Sequence, residues 1–267
     1  MRALIQVDDW PARHVAVAVV TAEGVLASRG ERDRAFRWAS VTKLLTATAL
    51  LVALEEGILD LDDPAGPEGS TVRHLAAHAS GLPLNGATPI GRPGERRVYS
   101  NTGIEQLAET IAAAAEMPFA EYLRAAVTGP LELSRPLAGS PAVGFEGTLD
   151  DLARFAQELL APQLVAPETL ADATQVQFPG LVGVLPGFGR MDPNDWGLGF
   201  ELRDRKQPHW TGERNSERTF GHFGASGTFL WVDPERRLAL ACLTDLEFGD
   251  WAKQAWTPLA DAVLADA

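Results

Sequence analysis

The sequence predicts an α/β (α+β) chain: an antiparallel sheet built from both ends and flanked by terminal helices, with a mainly helical lobe inserted between. Three observations carry this. Runs rich in β-branched and apolar residues stand near the start (Val15 to Val20) and near the end (Thr228 to Val232, Arg237 to Leu243). The long middle stretch, from Leu61 to about Trp196, carries helical patterns broken by loops. A last helical pattern, Trp251 to Ala265, closes the chain. The expected organisation is a sheet lobe from residues 1–60 and 196–267, a helical lobe from 61–195, and an active site between them.

The elements follow in order. Val15 to Val20 and Gly24 to Ser28 read as a β-hairpin turning at Thr21-Ala22-Glu23. Ser40 to Glu56 (SVTKLLTATALLVALEE) reads as a helix, apolar around most of its circumference and therefore buried, with Gly57 at its C-terminal stop. Helices are expected at Val72 to His78, Thr102 to Ala115, Phe119 to Val127 and Asp150 to Leu160, the last with a start signal at Thr148-Leu149-Asp150-Asp151. A strand returns at Gly199 to Leu202. Phe178 to Asp195 and Arg203 to Gly221 are long and irregular, and read as rim loops that set specificity.

The chemistry begins at Ser40-Val41-Thr42-Lys43. Residues at i and i+3 of a helix share a face, about 5–6 Å apart at Cβ. A serine in the first turn also feels the positive end of the helix dipole. A buried lysine with no carboxylate partner tends to shed its proton and can act as a base. Alone, such a tetrad is more often a capping serine and a snorkelling lysine. Two further motifs change that balance. Tyr99-Ser100-Asn101 enters a helix from a Gly- and Pro-rich approach, offering a phenol for proton transfer and an amide to orient substrate. His222-Phe223-Gly224, leading through Ala225-Ser226-Gly227 into a strand, offers a ring nitrogen and bare backbone to an acyl group on an edge strand. The N–H groups of Ser40 and Ala225 are the expected oxyanion donors.

With these three motifs in this order, the chain resembles the serine β-lactamase and penicillin-binding-protein superfamily. It is most similar to the branch of class C β-lactamases, D-Ala-D-Ala carboxypeptidases and β-lactamase-like esterases. The likeness extends through Leu59 to Pro64, Thr71 to Leu75, His78 to Pro83, Trp196 to Phe200 and Leu230 to Pro234, and covers roughly Phe36 to Asp245. It implies the β-lactamase/transpeptidase-like fold. It also implies Ser40 as nucleophile, Lys43 as general base, Tyr99 as proton shuttle, Asn101 as a substrate-orienting group and His222 as the third-motif residue. No cofactor or metal is expected. His74 and His78 stand at i, i+4, a metal-capable spacing, but no third ligand is evident nearby, and they read as packing and hydrogen-bonding residues.

The departures inform the activity. Class C enzymes commonly carry lysine where this chain has His222, and an ordinary histidine is largely neutral above its pKa of about 6.5. That favours esters over substrates bearing a carboxylate. The formal net charge of −13 argues against nucleic acid or an anionic membrane as partner, leaving a small ester or amide as the expected substrate. Cys242 is the only cysteine and reads as buried filler. The first residues show no secretory pattern, so a cytoplasmic location is expected. Three readings follow: an intracellular carboxylesterase or acyl hydrolase, with acyl transfer included; a β-lactamase, D-Ala-D-Ala carboxypeptidase or D-aminopeptidase-type amide hydrolase; or a non-catalytic penicillin-binding-like sensor.

Overall fold

The structure, a computed structural model, describes residues 1–267. After a 3-10 helix over Arg2–Asp9, strands β1 (Val15–Thr21) and β2 (Gly24–Gly30) form the expected hairpin, with a register shift between Val19 and Val20. A short strand β3 (Phe36–Arg37) leads to a 3-10 turn, Ala39–Val41, and then to helix α1 (Thr42–Glu55). Gly57, in the left-handed region at φ 69°, ends that helix as expected.

The middle segment supplies α2 (Val72–Ala76), α3 (Asn101–Ala114) and α4 (Phe119–Leu123), the last running on as a π-helical turn to Thr128. β4 (Glu146–Gly147) pairs with β3; α5 (Leu149–Leu160) and α6 (Pro167–Ala173) follow. The start signal read at Thr148 is a capping box, Thr148 and Asp151 each serving the other's backbone N–H. Two features differ from the sequence reading. The short helix α6 opens with Pro167 at its first turn, a start signal the reading passed over. The stretch expected to be irregular from Phe178 folds back as a small hairpin, β5 (Gly183–Leu185) with β6 (Gly189–Met191).

The remaining strands are β7 (Glu201–Leu202), β8 (Phe220–Gly224), β9 (Thr228–Asp233) and β10 (Leu238–Thr244), before α7 (Asp250–Asp266). They join the hairpin in one six-stranded antiparallel sheet ordered β2-β1-β10-β9-β8-β7. Alternation assigns each strand's side chains to two layers. Ala16, Ala18 and Val20 of β1, with Ala239, Ala241 and Leu243 of β10, face the larger core shared with α1 and α5. Val17, Val19, Leu240 and Cys242 face a second core, with α7 and the N-terminal 3-10 helix. Because both faces are covered, VAVAVV and LALACL read as unbroken apolar runs rather than alternating ones.

Helix α1 packs against α3, α4 and α6, while α5, from the middle segment, lies on the sheet. The approach of residue 199 to α1 is so close that a Cβ there would stand 2.6 Å from the Ala47 methyl, and Gly199 also has φ 78°. No helix is long and apolar enough to cross a membrane.

Candidate active site

Three chain segments meet beside the end of β8: the turn leading into α1, the N-terminus of α3, and the β8–β9 turn. Ser40 sits in the 3-10 turn just ahead of α1 rather than in its first turn, and its side chain makes no capping hydrogen bond to the helix. Ala39 before it is held in the left-handed region at φ 45°. A non-glycine residue stays there only when its surroundings fix it. Here the hydroxyls of Ser226 and Thr228 donate to the carbonyls of Arg37 and Trp38 (2.7 and 3.1 Å), fastening the Ser40 turn to the β8–β9 turn. Gly224 permits that approach, since a Cβ would fall 2.6 Å from both the Trp38 carbonyl oxygen and the Thr228 hydroxyl.

Lys43, on the first turn of α1, is fully buried. Its Nζ lies 2.7 Å from Asn101 Oδ1, 2.9 Å from the Ala142 carbonyl and 3.1 Å from Ser40 Oγ. No carboxylate touches it, and burial lowers its pKa from 10.5 to about 7, only partly opposed by the more distant Glu105. A neutral amine has two protons and one lone pair. Two of its three neighbours, the amide and peptide oxygens, can only accept. In the neutral form they take the two protons and the lone pair is left toward Ser40 Oγ; in the protonated form the ammonium donates to Ser40 Oγ.

Ser100 caps α3 by accepting from the Gly103 N–H at 2.8 Å, and this fixes Tyr99 and Asn101 on either side. The Tyr99 hydroxyl donates to Ser40 Oγ at 2.8 Å and stands 3.4 Å from His222 Nε2. Burial raises the phenol's pKa, so it holds its proton at neutral pH. His222 on β8 is itself buried, which drops its pKa to about 3, with Lys43 adding to the fall. Its Nδ1–H donates to the Phe223 carbonyl at 2.6 Å, leaving an unprotonated Nε2 toward Tyr99. The sequence reading put His222 on an edge strand. β7 is the outer strand, but it pairs only with Phe220 and Gly221, so β8 is open at His222. The N–H groups of Ser40 and Ala225 have no protein acceptor, and both residues line the same cleft of about 440 Å³ with Asn101 and His222.

All seven residues singled out in the sequence therefore lie together: Ser40, Lys43, Tyr99, Asn101, His222, Gly224 and Ala225. Other groups join them. The Ala142 carbonyl comes from a loop 99 residues from Lys43 and carries no side-chain signal. Trp196 lines the cleft, its ring 5.8 Å from that of Tyr99. Arg97 donates to the carbonyls of Asn194 (3.0 Å), Gln177 (2.7 Å), Phe178 (3.2 Å) and Ala77, tying the Tyr99 turn to three other segments. His78 accepts from the Ser100 N–H at Nδ1 (3.2 Å) and packs edge-on against Trp196, while His74 bonds Thr71.

The comparisons with known proteins bear on the family and the fold. A family model described as Beta-lactamase matches residues 8–265. The D-alanyl-D-alanine-carboxypeptidase/endopeptidase AmpH of Escherichia coli (strain K12) is 24% identical over 228 residues, 60% of this chain and 59% of that protein. The matched part thus spans less than two thirds of that relative. Among solved structures, a β-lactamase from Mycobacterium bovis superposes with a TM-score of 0.97 at 53% identity, covering 99% of this chain and 98% of that one. EstCE1, a hydrolase with promiscuous acyltransferase activity, shares the fold with a TM-score of 0.77 at 17% identity, over 98% of this chain and 96% of that one. The chain belongs to the beta-lactamase family, among the serine hydrolases of the β-lactamase and penicillin-binding-protein type.

Proposed function

We propose that the protein is a serine ester hydrolase working through an acyl-enzyme on Ser40, with Lys43 as general base. The observation that carries this is the hydrogen-bond chain through Ser40 Oγ, with Tyr99 at 2.8 Å on one side and the Lys43 amine at 3.1 Å on the other. As Oγ attacks the ester carbonyl, its proton passes to Lys43 Nζ. The N–H groups of Ser40 and Ala225 take the oxyanion. When the tetrahedral adduct collapses, Tyr99 gives its proton to the leaving alkoxide oxygen, and the Lys43 ammonium restores the phenol. Water then attacks the acyl-enzyme, passing one proton to the same base, and the acid leaves as Ser40 Oγ regains a proton. Asn101 holds Lys43 through Oδ1 and turns Nδ2 toward the Asn85 side chain and the cleft.

Esters are favoured because the third-motif position holds a neutral, buried imidazole instead of a cation, so it offers no charge to a substrate carboxylate. One observation favours a second reading, a β-lactam or D-amino-acid amide substrate. Arg37 lines the cleft as its one basic residue of fixed charge, and its exposed guanidinium has no carboxylate partner. The 53% identity to a protein described as a β-lactamase points the same way.

The test is hydrolysis of p-nitrophenyl acetate beside a chromogenic cephalosporin, for wild type, Ser40→Ala and Arg37→Ala. Ser40-dependent ester turnover that survives Arg37→Ala, with little cephalosporin cleavage, supports the ester reading. Cephalosporin turnover that collapses in Arg37→Ala supports the second. Equal ester turnover in wild type and Ser40→Ala refutes an acyl-enzyme on that serine.

A further inference from the structure

We propose that the catalytic cleft opens into a second, apolar chamber that takes the alcohol portion of the substrate, so that the preferred substrates are esters of medium-chain, uncharged alcohols. This rests on the hydrolase reading above and adds which side of the ester the protein selects. The chamber, about 530 Å³, lies between residues 84–99 and the β5–β6 hairpin. Leu84, Tyr99 and Pro186 line both it and the cleft that holds Ser40, so the two spaces adjoin at these three residues. Leu84 is fixed to the catalytic turn, its carbonyl accepting from the Asn101 N–H at 2.8 Å.

The chamber's walls hold apolar side chains that nothing in the chain covers. Leu84 is 48% exposed, Ile90 54% and Val184 58%, and all three face this one space. Three arginines also border it, but each has protein acceptors. Arg97 is spread over four backbone carbonyls, Arg96 donates to the Ile90 carbonyl at 2.6 Å, and Arg190 pairs with Asp192 at 3.1 Å. A ligand in the chamber gains by burying hydrocarbon against Leu84, Ile90 and Val184.

The position of Tyr99 decides which half of the ester enters. Its hydroxyl hands a proton to the leaving oxygen, so that oxygen rests against Tyr99. The acyl carbon sits on Ser40, and its oxygen points to the N–H groups of Ser40 and Ala225. The chain attached to the leaving oxygen thus starts at Tyr99, one of the three residues common to both spaces.

The test measures acetate release from ethyl, butyl, hexyl and octyl acetate, beside the p-nitrophenyl series from acetate to octanoate. From ethyl to octyl acetate, kcat/KM is expected to rise about tenfold or more, as added methylenes leave water. In Ile90→Asp and Val184→Asp, both surface substitutions, that octyl-to-ethyl ratio is expected to fall toward one. A flat alkyl series, or a rise confined to the acyl series, overturns the assignment. A loss of Ser40-dependent turnover on every ester would count against the hydrolase reading instead. The chamber is then judged on Ser40→Ala by tryptophan fluorescence: about tenfold tighter binding of 1-octanol than of 1-butanol supports it, and equal binding overturns it.

Discussion

Replacing Lys43 with methionine should abolish turnover and change stability with opposite signs at acidic and alkaline pH. The lysine is completely buried, and its pKa falls from 10.5 to about 7. That displacement corresponds to roughly 5 kcal/mol of preference for the neutral amine. Below pH 7 the folded protein carries the whole cost of holding the ammonium, because the residue is charged in both states. As pH rises from 7 to 10.5, the unfolded chain keeps its proton while the folded one sheds it, so this cost is relieved. Methionine has no such cost, fills similar volume, and leaves Asn101 Oδ1 and the Ala142 carbonyl without their donor. Two unpaired buried acceptors cost about 1–2 kcal/mol each. At pH 6 the variant should therefore be more stable by about 1–3 kcal/mol, and at pH 10 less stable by a similar amount. Urea unfolding of both proteins at each pH reads this directly. With a slope of about 2 kcal/mol/M, the midpoints differ by about 1 M and exchange order between the two pH values. A difference of the same sign and size at pH 6 and pH 10 would refute a neutral lysine beside Ser40.

Three further predictions come from the same geometry. The pH profile of kcat/KM for an ester should fall as pH drops through about 7, because protonating Lys43 removes the base, while His222, titrating near 3, adds no second step between pH 5 and 8; a profile unchanged from pH 5 to 8 would contradict this. Tyr99→Phe keeps the ring in place but removes the hydroxyl from Ser40, and should lower kcat by about 10²–10⁴ with little change in thermal midpoint, as stopped-flow acylation and calorimetry would measure. Glu201, buried against Lys206, His209 and Trp210, has its pKa lowered to about 2; burial alone would raise it, and the Lys206 ammonium with the hydrogen bonds from Lys206 and His209 reverses that. Its ionised form stabilises the fold above the unfolded carboxylate range, and this is lost as pH falls from about 4.5 toward 2, so Glu201→Gln should cost about 3–5 kcal/mol at pH 7 and much less near pH 2.

What the sequence by itself determined was local and periodic. The strands at Val15 and Leu238 announce themselves because both of their faces are buried, which demands apolar side chains at nearly every position. The capping box at Thr148 and the stop at Gly57 are written in residues three or four apart. The candidate set was legible for a related reason: S-x-x-K, Y-x-N and H-x-G each place their side chains from a rigid turn, so the spacing within a motif already fixes part of the geometry. What brings the three motifs together was not legible. Lys43 and Asn101 are 58 residues apart, Tyr99 and His222 are 123 apart, and only the packed sheet and helices bring those atoms within 3.4 Å. The tertiary structure also decided the protonation states. The lysine's neutrality depends on complete burial and on acceptors that include the backbone carbonyl of Ala142, which no side-chain pattern encodes. The histidine's tautomer depends on one carbonyl, that of Phe223. Sequence names the groups that can react; burial and long-range contact set which of them holds the proton.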